Sequence, residues 1–308
     1  MIVDLLFVLA GIGLLVVGGD RLIRGAVNLS LRLGIAPAIV GLTVVAFGTS
    51  APELLVSVSA ALNGTTDIAL GNVVGSNIAN VLIILGFCAA VTGIPTRGLD
   101  LRESWVMMMA ASAALVLLAL LAPIGRLDGL LLLVMLGLVL WRQLSTAEPA
   151  AETELEGADA KASRRMIAVW LAMGLVALPL GAQLLVTGAA DIARLFGVSE
   201  AVIGLTLVAV GTSLPELAAS LASARAGRAD MALGNVVGSN LFNILAILGI
   251  TAVIAPLPVP REMIRLDIWV MLASSALLYP FLFRGLRMGK RVGLALIALY
   301  AAYLMVLL

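Results

Sequence analysis

The sequence predicts an all-α polytopic membrane protein: ten transmembrane helices forming two inverted five-helix repeats, with a broken helix in each. Three observations carry this. Of 308 residues, 62% are hydrophobic and 12% charged, and the mean hydropathy is +1.16; a soluble domain is about a quarter charged. Apolar stretches of about 20 residues, each enough to cross a ~30 Å hydrocarbon core, recur along the whole length. The chain also repeats itself at an offset of 163 positions. Gly41–Gly86 aligns with Gly204–Gly249 without a gap, and 29 of the 46 pairs are identical.

The spans fall at about 2–31, 37–62, 68–91, 102–122, 127–142, 165–196, 200–224, 231–255, 264–283 and 290–308. The first and sixth exceed what a bilayer needs, so they should tilt or project beyond it. Met1-Ile2-Val3-Asp4-Leu5 lacks the basic n-region of a cleaved signal and runs into apolar sequence, which reads as a retained first helix. The organisation is therefore a first repeat over 1–143, a linker over 144–163 and a second repeat over 164–308, together one membrane domain. The linker carries Glu148, Glu152, Glu154, Glu156 and Asp159. It reads as a solvated connection, with a calcium-sensing acidic loop as the other reading. Five spans per half is an odd number, so the second half enters the membrane from the opposite side. Inverted repeats of this kind place a binding site where the halves meet, near the midplane.

Of the 19 Lys and Arg, Arg21 and Arg24 lie inside the first span, and Arg126, Arg194, Arg261 and Arg265 fall in loops on one side. The remaining thirteen fall in loops on the linker's side. Cytoplasmic loops carry the positive excess, so both termini should face out and the linker in. The net charge of +1 and the lack of a basic tract give no sign of nucleic-acid binding, and nothing points to an obligatory protein partner. The chain has no histidine, which removes the Ser–His pairing of a hydrolase. Cys88, the single cysteine, sits in an apolar run and reads as a small core residue.

The chemistry lies in Gly48-Thr49-Ser50-Ala51-Pro52-Glu53, repeated as Gly211-Thr212-Ser213-Leu214-Pro215-Glu216. Pro52 lacks an N–H and opposes a continuous helix, so the span should break near Gly48–Ala51 and free backbone carbonyls, Ala46 among them. Such a break is tolerated in lipid only where it lines a cavity or meets a ligand. Thr49 and Ser50 add hydroxyls and Glu53 a carboxylate; Ala209, Thr212, Ser213 and Glu216 offer the same set. In the next span of each half, Asn72, Ser76 and Asn80 stack at i, i+4 and i+8, as do Asn235, Ser239 and Asn243. Ser76, Asn80, Ser239 and Asn243 read as site residues. Asn72, Asn77, Asn235 and Asn240 either join them or hold helices together.

The pooled set is all oxygen, with about 6–8 donors, which suits a hard cation, Ca²⁺ above all and Na⁺ as well. Two glutamates neutralise one Ca²⁺ or two Na⁺. Buried without a counter-ion they are costly, so such a site crosses the membrane loaded, as exchange requires. No resident cofactor follows; the ions are cargo and the bilayer is the surroundings. Among the other charges, Asp20 reads as paired with Arg21 and Arg24, and Asp67 and Asp230 as helix N-terminal caps, with a cation-gathering vestibule as the alternative.

At these residues the sequence resembles the cation/Ca²⁺ exchanger superfamily, and among its members the prokaryotic sodium/calcium exchangers. GTSAPE with GNVVGSNIAN, and GTSLPE with GNVVGSNLFN, resemble that family's two alpha-repeats. The resemblance implies Na⁺-driven Ca²⁺ antiport across a cytoplasmic membrane by alternating access, the long first and sixth spans sliding against a core of the others. It is not implied to be an enzyme. Carried over by position, the ion ligands are the Ala46 carbonyl, Thr49, Ser50, Glu53, Ser76 and Asn80, with the Ala209 carbonyl, Thr212, Ser213, Glu216, Ser239 and Asn243. Some relatives, the K⁺-dependent ones included, carry Asp where this chain has Asn243, so the resemblance implies no K⁺ requirement here. Ca²⁺/H⁺ exchange, with Glu53 and Glu216 as proton carriers, is the alternative within the class. A channel is the alternative outside it, disfavoured by broken helices in inverted repeats.

Overall fold

Glycines spaced seven apart decide how the two longest helices meet. In the computed structural model, which describes residues 1–121, 123–146, 162–197 and 211–307, α1 (Ile2–Leu33) and α7 (Arg164–Leu195) are each 32 residues long. They pack antiparallel: Gly11 faces Gly181 and Leu185, Gly18 faces Leu178, Gly25 faces Leu171, and Gly188 faces the Asp4 carbonyl. Lipid tails are as apolar as leucine, so close backbone approach through small residues, rather than hydrophobic burial, holds such a pair together.

Between and after them lie α2 (Pro37–Thr49), α3 (Ala51–Leu62), α4 (Thr66–Val91), α5 (Arg102–Leu121), α6 (Arg126–Ser145), α8 (Leu214–Arg225), α9 (Ala229–Ile254), α10 (Arg261–Arg284) and α11 (Lys290–Leu307). Among the described residues, eight helices are long and apolar enough to cross a membrane, and nine spans result if α2 and α3 count as one. Of the span placed at 200–224, only residues from 211 onward, most of them in α8, lie within the described residues; most of the acidic linker also lies outside them. The sequence places one uninterrupted span at 264–283. The structure divides it, with interruptions at Leu266 and at Leu277–Leu278 and with Pro280 opening its last turn.

The helices keep the offset of the sequence. α3 and α8 begin and end 163 positions apart, as do α4 and α9. α4 and α9 each contain a π-helical turn, at Asn80–Leu85 and Asn243–Leu248, and α2 contains another at Gly41–Val45. Such widened turns often mark functional positions. α4 and α9 form the centre of the molecule, buried on nearly every side, and Cys88 is fully buried in this core. Gly234 and Gly238 bring α9 onto α2, where an added Cβ would meet the carbonyls of Ala38 and Leu42.

The ends are tied by loops from different halves. Ile94 and Met288 exchange two backbone hydrogen bonds, of 2.8 and 3.0 Å, and Ile124 and Leu257 exchange two of 3.0 and 2.9 Å. Arg32 reaches the Ala162 carbonyl at 3.5 Å, joining the end of α1 to the start of α7. Asp20 pairs with Arg24 at 3.2 Å, the local pairing read from the sequence. Asp67 and Asp230 stand in first turns, but the N-cap positions Thr65 and Arg228 make no side-chain cap bond. Asp230 instead pairs with Arg228 at 2.6 Å.

The glycine seam between α1 and α7 has a measurable consequence. A Cβ at Gly11 would lie 2.6 Å from Leu185 N and 2.7 Å from the Gly181 carbonyl. Gly11→Val should therefore force the helices apart, destabilising by about 1–3 kcal/mol, and lower the melting temperature of the detergent-solubilised protein. Gly13→Val, where an added Cβ meets nothing within 4 Å, should leave it nearly unchanged.

Candidate ion-binding site

The span made of α2 and α3 breaks where its proline requires. Ser50 sits between the two helices with φ −82° and ψ 6°, and the axis bends by 45°. Pro52, at the first turn of α3, has its missing N–H where a helix leaves amides unpaired anyway. The Gly48 carbonyl thereby loses its helical donor. Ala46, read from the sequence as a freed carbonyl, is not free: it accepts the Ser50 N–H at 3.0 Å, and Thr49 Oγ1 lies 3.3 Å from it. The proline deletes the bond two residues further on, so the helix holds through Ala46. In the second repeat α8 likewise starts at Leu214 with Pro215 in its first turn, and the Leu217 N–H bonds the Ser213 carbonyl at 3.1 Å.

Glu53 and Glu216 are each 1% exposed. Each takes a hydroxyl donor from the other repeat: Ser50 Oγ donates to Glu216 Oε1 at 3.0 Å and Ser213 Oγ to Glu53 Oε1 at 3.4 Å. Among the described residues, no Lys or Arg forms an ion pair with either glutamate. Two buried carboxylates thus face each other's half with hydroxyl donors and no cationic side chain.

α4 and α9 hold the surroundings. Asn72 Nδ2 donates to the Glu53 carbonyl at 3.1 Å and to Ser57 Oγ at 2.9 Å; Asn235 Nδ2 repeats this with the Glu216 carbonyl at 3.3 Å and Ser220 Oγ at 2.9 Å. Thr49 Oγ1 lies 3.4 Å from Asn235 Oδ1. Deeper in, Asn80 Nδ2 donates to Asn240 Oδ1 and Asn243 Nδ2 to Asn77 Oδ1, both at 3.0 Å. The choice left open by the sequence for Asn72, Asn77, Asn235 and Asn240 thus resolves for their Nδ2 atoms: all four donate within the protein.

Set against these satisfied groups are several that have no partner. Glu53 Oε2, Glu216 Oε2, Asn80 Oδ1, Asn243 Oδ1 and Ser239 Oγ are buried and make no hydrogen bond. Buried oxygens are normally paired, and an unpaired one costs about 1–3 kcal/mol. Four of the five are two repeat-related pairs of acceptor-only atoms, an arrangement that a bound cation would complete.

Of the twelve predicted site residues, the structure places Thr49, Ser50, Glu53, Ser76, Asn80, Ser213, Glu216, Ser239 and Asn243 in the buried interior. Thr212 is half-buried beside Ser213, Ala46 is buried but hydrogen-bonded, and Ala209 lies outside the described residues. Sequence reasoning missed the exchange of hydroxyl donors between repeats. Nothing in the spacing of Ser50 and Glu216 signals that they meet.

Comparison with known proteins converges on one family. The family described as sodium/calcium exchanger protein matches residues 3–145 and again 166–308. CaxA of Alkalimonas amylolytica is 39% identical over 296 residues, spanning 94% of this chain and 92% of CaxA. The sodium/calcium exchanger MaX1 of Methanosarcina acetivorans is 31% identical over 350 residues, covering 99% and 98%. A solved structure of the sodium-calcium exchanger NCX_Mj, soaked with zero Na⁺ and Ca²⁺, superimposes with a TM-score of 0.87 at 30% identity, covering 100% and 99%. This chain belongs to the sodium/calcium exchanger family.

The asparagine clamps on the two glutamate backbones differ in burial, since Asn235 is fully buried and Asn72 only partly. Removing Asn235 takes the donor from buried Ser220 Oγ and the second bond from the Glu216 carbonyl. Asn235→Leu should lower thermal stability by about 1–3 kcal/mol, and Asn72→Leu by less, as read from melting curves of the purified protein.

Proposed function

We propose that this chain is a secondary antiporter that exchanges Ca²⁺ for Na⁺ across the cytoplasmic membrane by alternating access, extruding Ca²⁺. The observation that carries this is the set of buried, unpartnered oxygens of Glu53, Glu216, Asn80, Asn243 and Ser239. The ligands are these residues with Thr49, Ser50, Ser76, Thr212, Ser213, the Ala209 carbonyl and the Ala46 carbonyl, which would take the ion beside the Ser50 N–H that it already accepts. Ser50 and Ser213 each spend their proton on a glutamate, leaving hydroxyl lone pairs for the ion. An all-oxygen set with two carboxylates balances one Ca²⁺ or two Na⁺, and membership of the exchanger family supports Na⁺ as the returning ion.

The inverted ten-span arrangement has two supports. α1 and α7, repeat-related by sequence, pack antiparallel. The bridges Ile94–Met288 and Ile124–Leu257 lie at opposite ends of α5, although Ile94 and Leu257 are repeat-related positions. Alternating access draws support from two grooves that run beside the contacts of the α1–α7 pair with the rest. One of about 630 Å³ lies between α1 and α8 and is lined by Val16, Asp20, Ile23, Leu214 and Ala218. Its repeat-related counterpart of about 370 Å³ lies between α7 and α3, lined by Pro179, Gln183, Val186, Ala51 and Leu55. Grooves of this kind leave the pair room to slide against the core. The charge bias supports an orientation with both termini outside and the acidic linker in the cytoplasm.

The test is radiolabelled Ca²⁺ uptake into liposomes containing the purified protein, with an outward Na⁺ gradient compared with an outward H⁺ gradient. Uptake should follow the Na⁺ gradient; uptake driven by H⁺ alone would mean a proton exchanger. Glu53→Gln and Glu216→Gln should each abolish uptake while the protein stays monodisperse, because one carboxylate cannot balance a divalent ion. Near-normal transport in either variant would remove these glutamates from the ion site.

A further inference from the structure

We infer that Asn77 and Asn240, absent from the proposed ligand set, are positioning residues: each fixes the amide of the ion-facing asparagine in the opposite repeat so that oxygen, not nitrogen, meets the cation. The inference rests on the ion-site reading above and adds what that site needs to work. An asparagine amide has a donor end and an acceptor end of nearly equal shape. Asn80 and Asn243 can serve a cation only through Oδ1; reversed, they would present N–H groups to a positive charge.

The direction is set by a chain of bonds that starts at the backbone. The Asn77 carbonyl can only accept, so Asn240 turns Nδ2 toward it, at 3.3 Å. Asn240 Oδ1 therefore points the other way and accepts from Asn80 Nδ2 at 3.0 Å. That leaves Asn80 Oδ1 unpaired. The second chain mirrors the first. The Asn240 carbonyl takes Asn77 Nδ2 at 3.4 Å, Asn77 Oδ1 takes Asn243 Nδ2 at 3.0 Å, and Asn243 Oδ1 is left unpaired. All four side chains are 0–1% exposed, so water offers no competing partner. The π-helical turns begin at Asn80 and Asn243 themselves, placing the oriented residue where the helix widens.

The test compares Asn77→Leu with Asn77→Asp, and the equivalent pair at Asn240, in the liposome assay, reading KM for Ca²⁺ separately from the maximal rate. Leu removes the acceptor that faces Asn243; Asp retains an oxygen there and turns its second oxygen toward the Asn240 carbonyl, which it can bond only when protonated, so both variants are read at a pH low enough to keep the new carboxyl neutral. Asn77→Leu should raise KM on the order of tenfold, the equivalent of one misdirected charge-assisted hydrogen bond, with a smaller change in maximal rate. Asn77→Asp should show no rise in KM. An unchanged KM in Asn77→Leu overturns the inference, as does an equal rise in the Asp variant, which would mark a merely structural role. Should Asn77→Leu fail to fold, the Asp variant decides alone: a raised KM overturns the inference. These outcomes differ from failure of the ion-site reading, which would show as absent Ca²⁺ exchange in the unmodified protein or as wild-type exchange in Glu53→Gln.

Discussion

Two carboxylates held at the centre of a membrane protein, with no basic side chain forming an ion pair with them among the described residues, are the constraint on which the rest depends. Moving a carboxylate out of water costs several kcal/mol even after relaxation, and two of the same sign add their repulsion. Each feature around Glu53 and Glu216 reduces that cost without cancelling it. A serine from the other half satisfies one oxygen of each, and an asparagine from the next helix anchors each backbone. One oxygen of each glutamate stays unsatisfied, and the proposed reading has a bound cation complete it. Under the proposed reading the stability of this centre and its transport of cations are one property.

The surrounding architecture divides by stiffness. α4 and α9 are buried almost throughout and interlocked by amide pairs, whereas α1 and α7 touch mainly each other along a glycine seam and meet the core through apolar contacts flanked by two grooves. Interlocked amides resist displacement because every lost bond strands a polar group in a dry interior. A glycine seam presents nothing comparable. Under the proposed reading the same chain supplies a fixed frame and a pair of long helices that slides against it.

Much of the fold was legible because its signals are long and doubled. Hydropathy located the eight or nine spans of the described residues, the 163-residue offset predicted the matching bounds of α3 with α8 and α4 with α9, and Pro52 predicted the break at Ser50. Glu53, Glu216, Asn80 and Asn243 were legible as polar residues where lipid permits few. What was illegible depends on contacts between halves. Ser50 read only as a hydroxyl ligand beside Glu53, and nothing in the first repeat showed that it donates to Glu216. Asn77 and Asn240 read ambiguously because a single helix face cannot show which end of an amide its neighbour will claim. The interruption of α10 near Leu266 also has no counterpart in the repeat and no signal in the local sequence.

The exchange of serine donors has a consequence for how such a protein is made. During synthesis the first half enters the membrane with Glu53 already in place but with its hydroxyl donor, Ser213, not yet built. Glu216 arrives later and finds Ser50 waiting. Neither half satisfies its own acid, so until the second half is built Glu53 lacks the donor that it has in the finished protein.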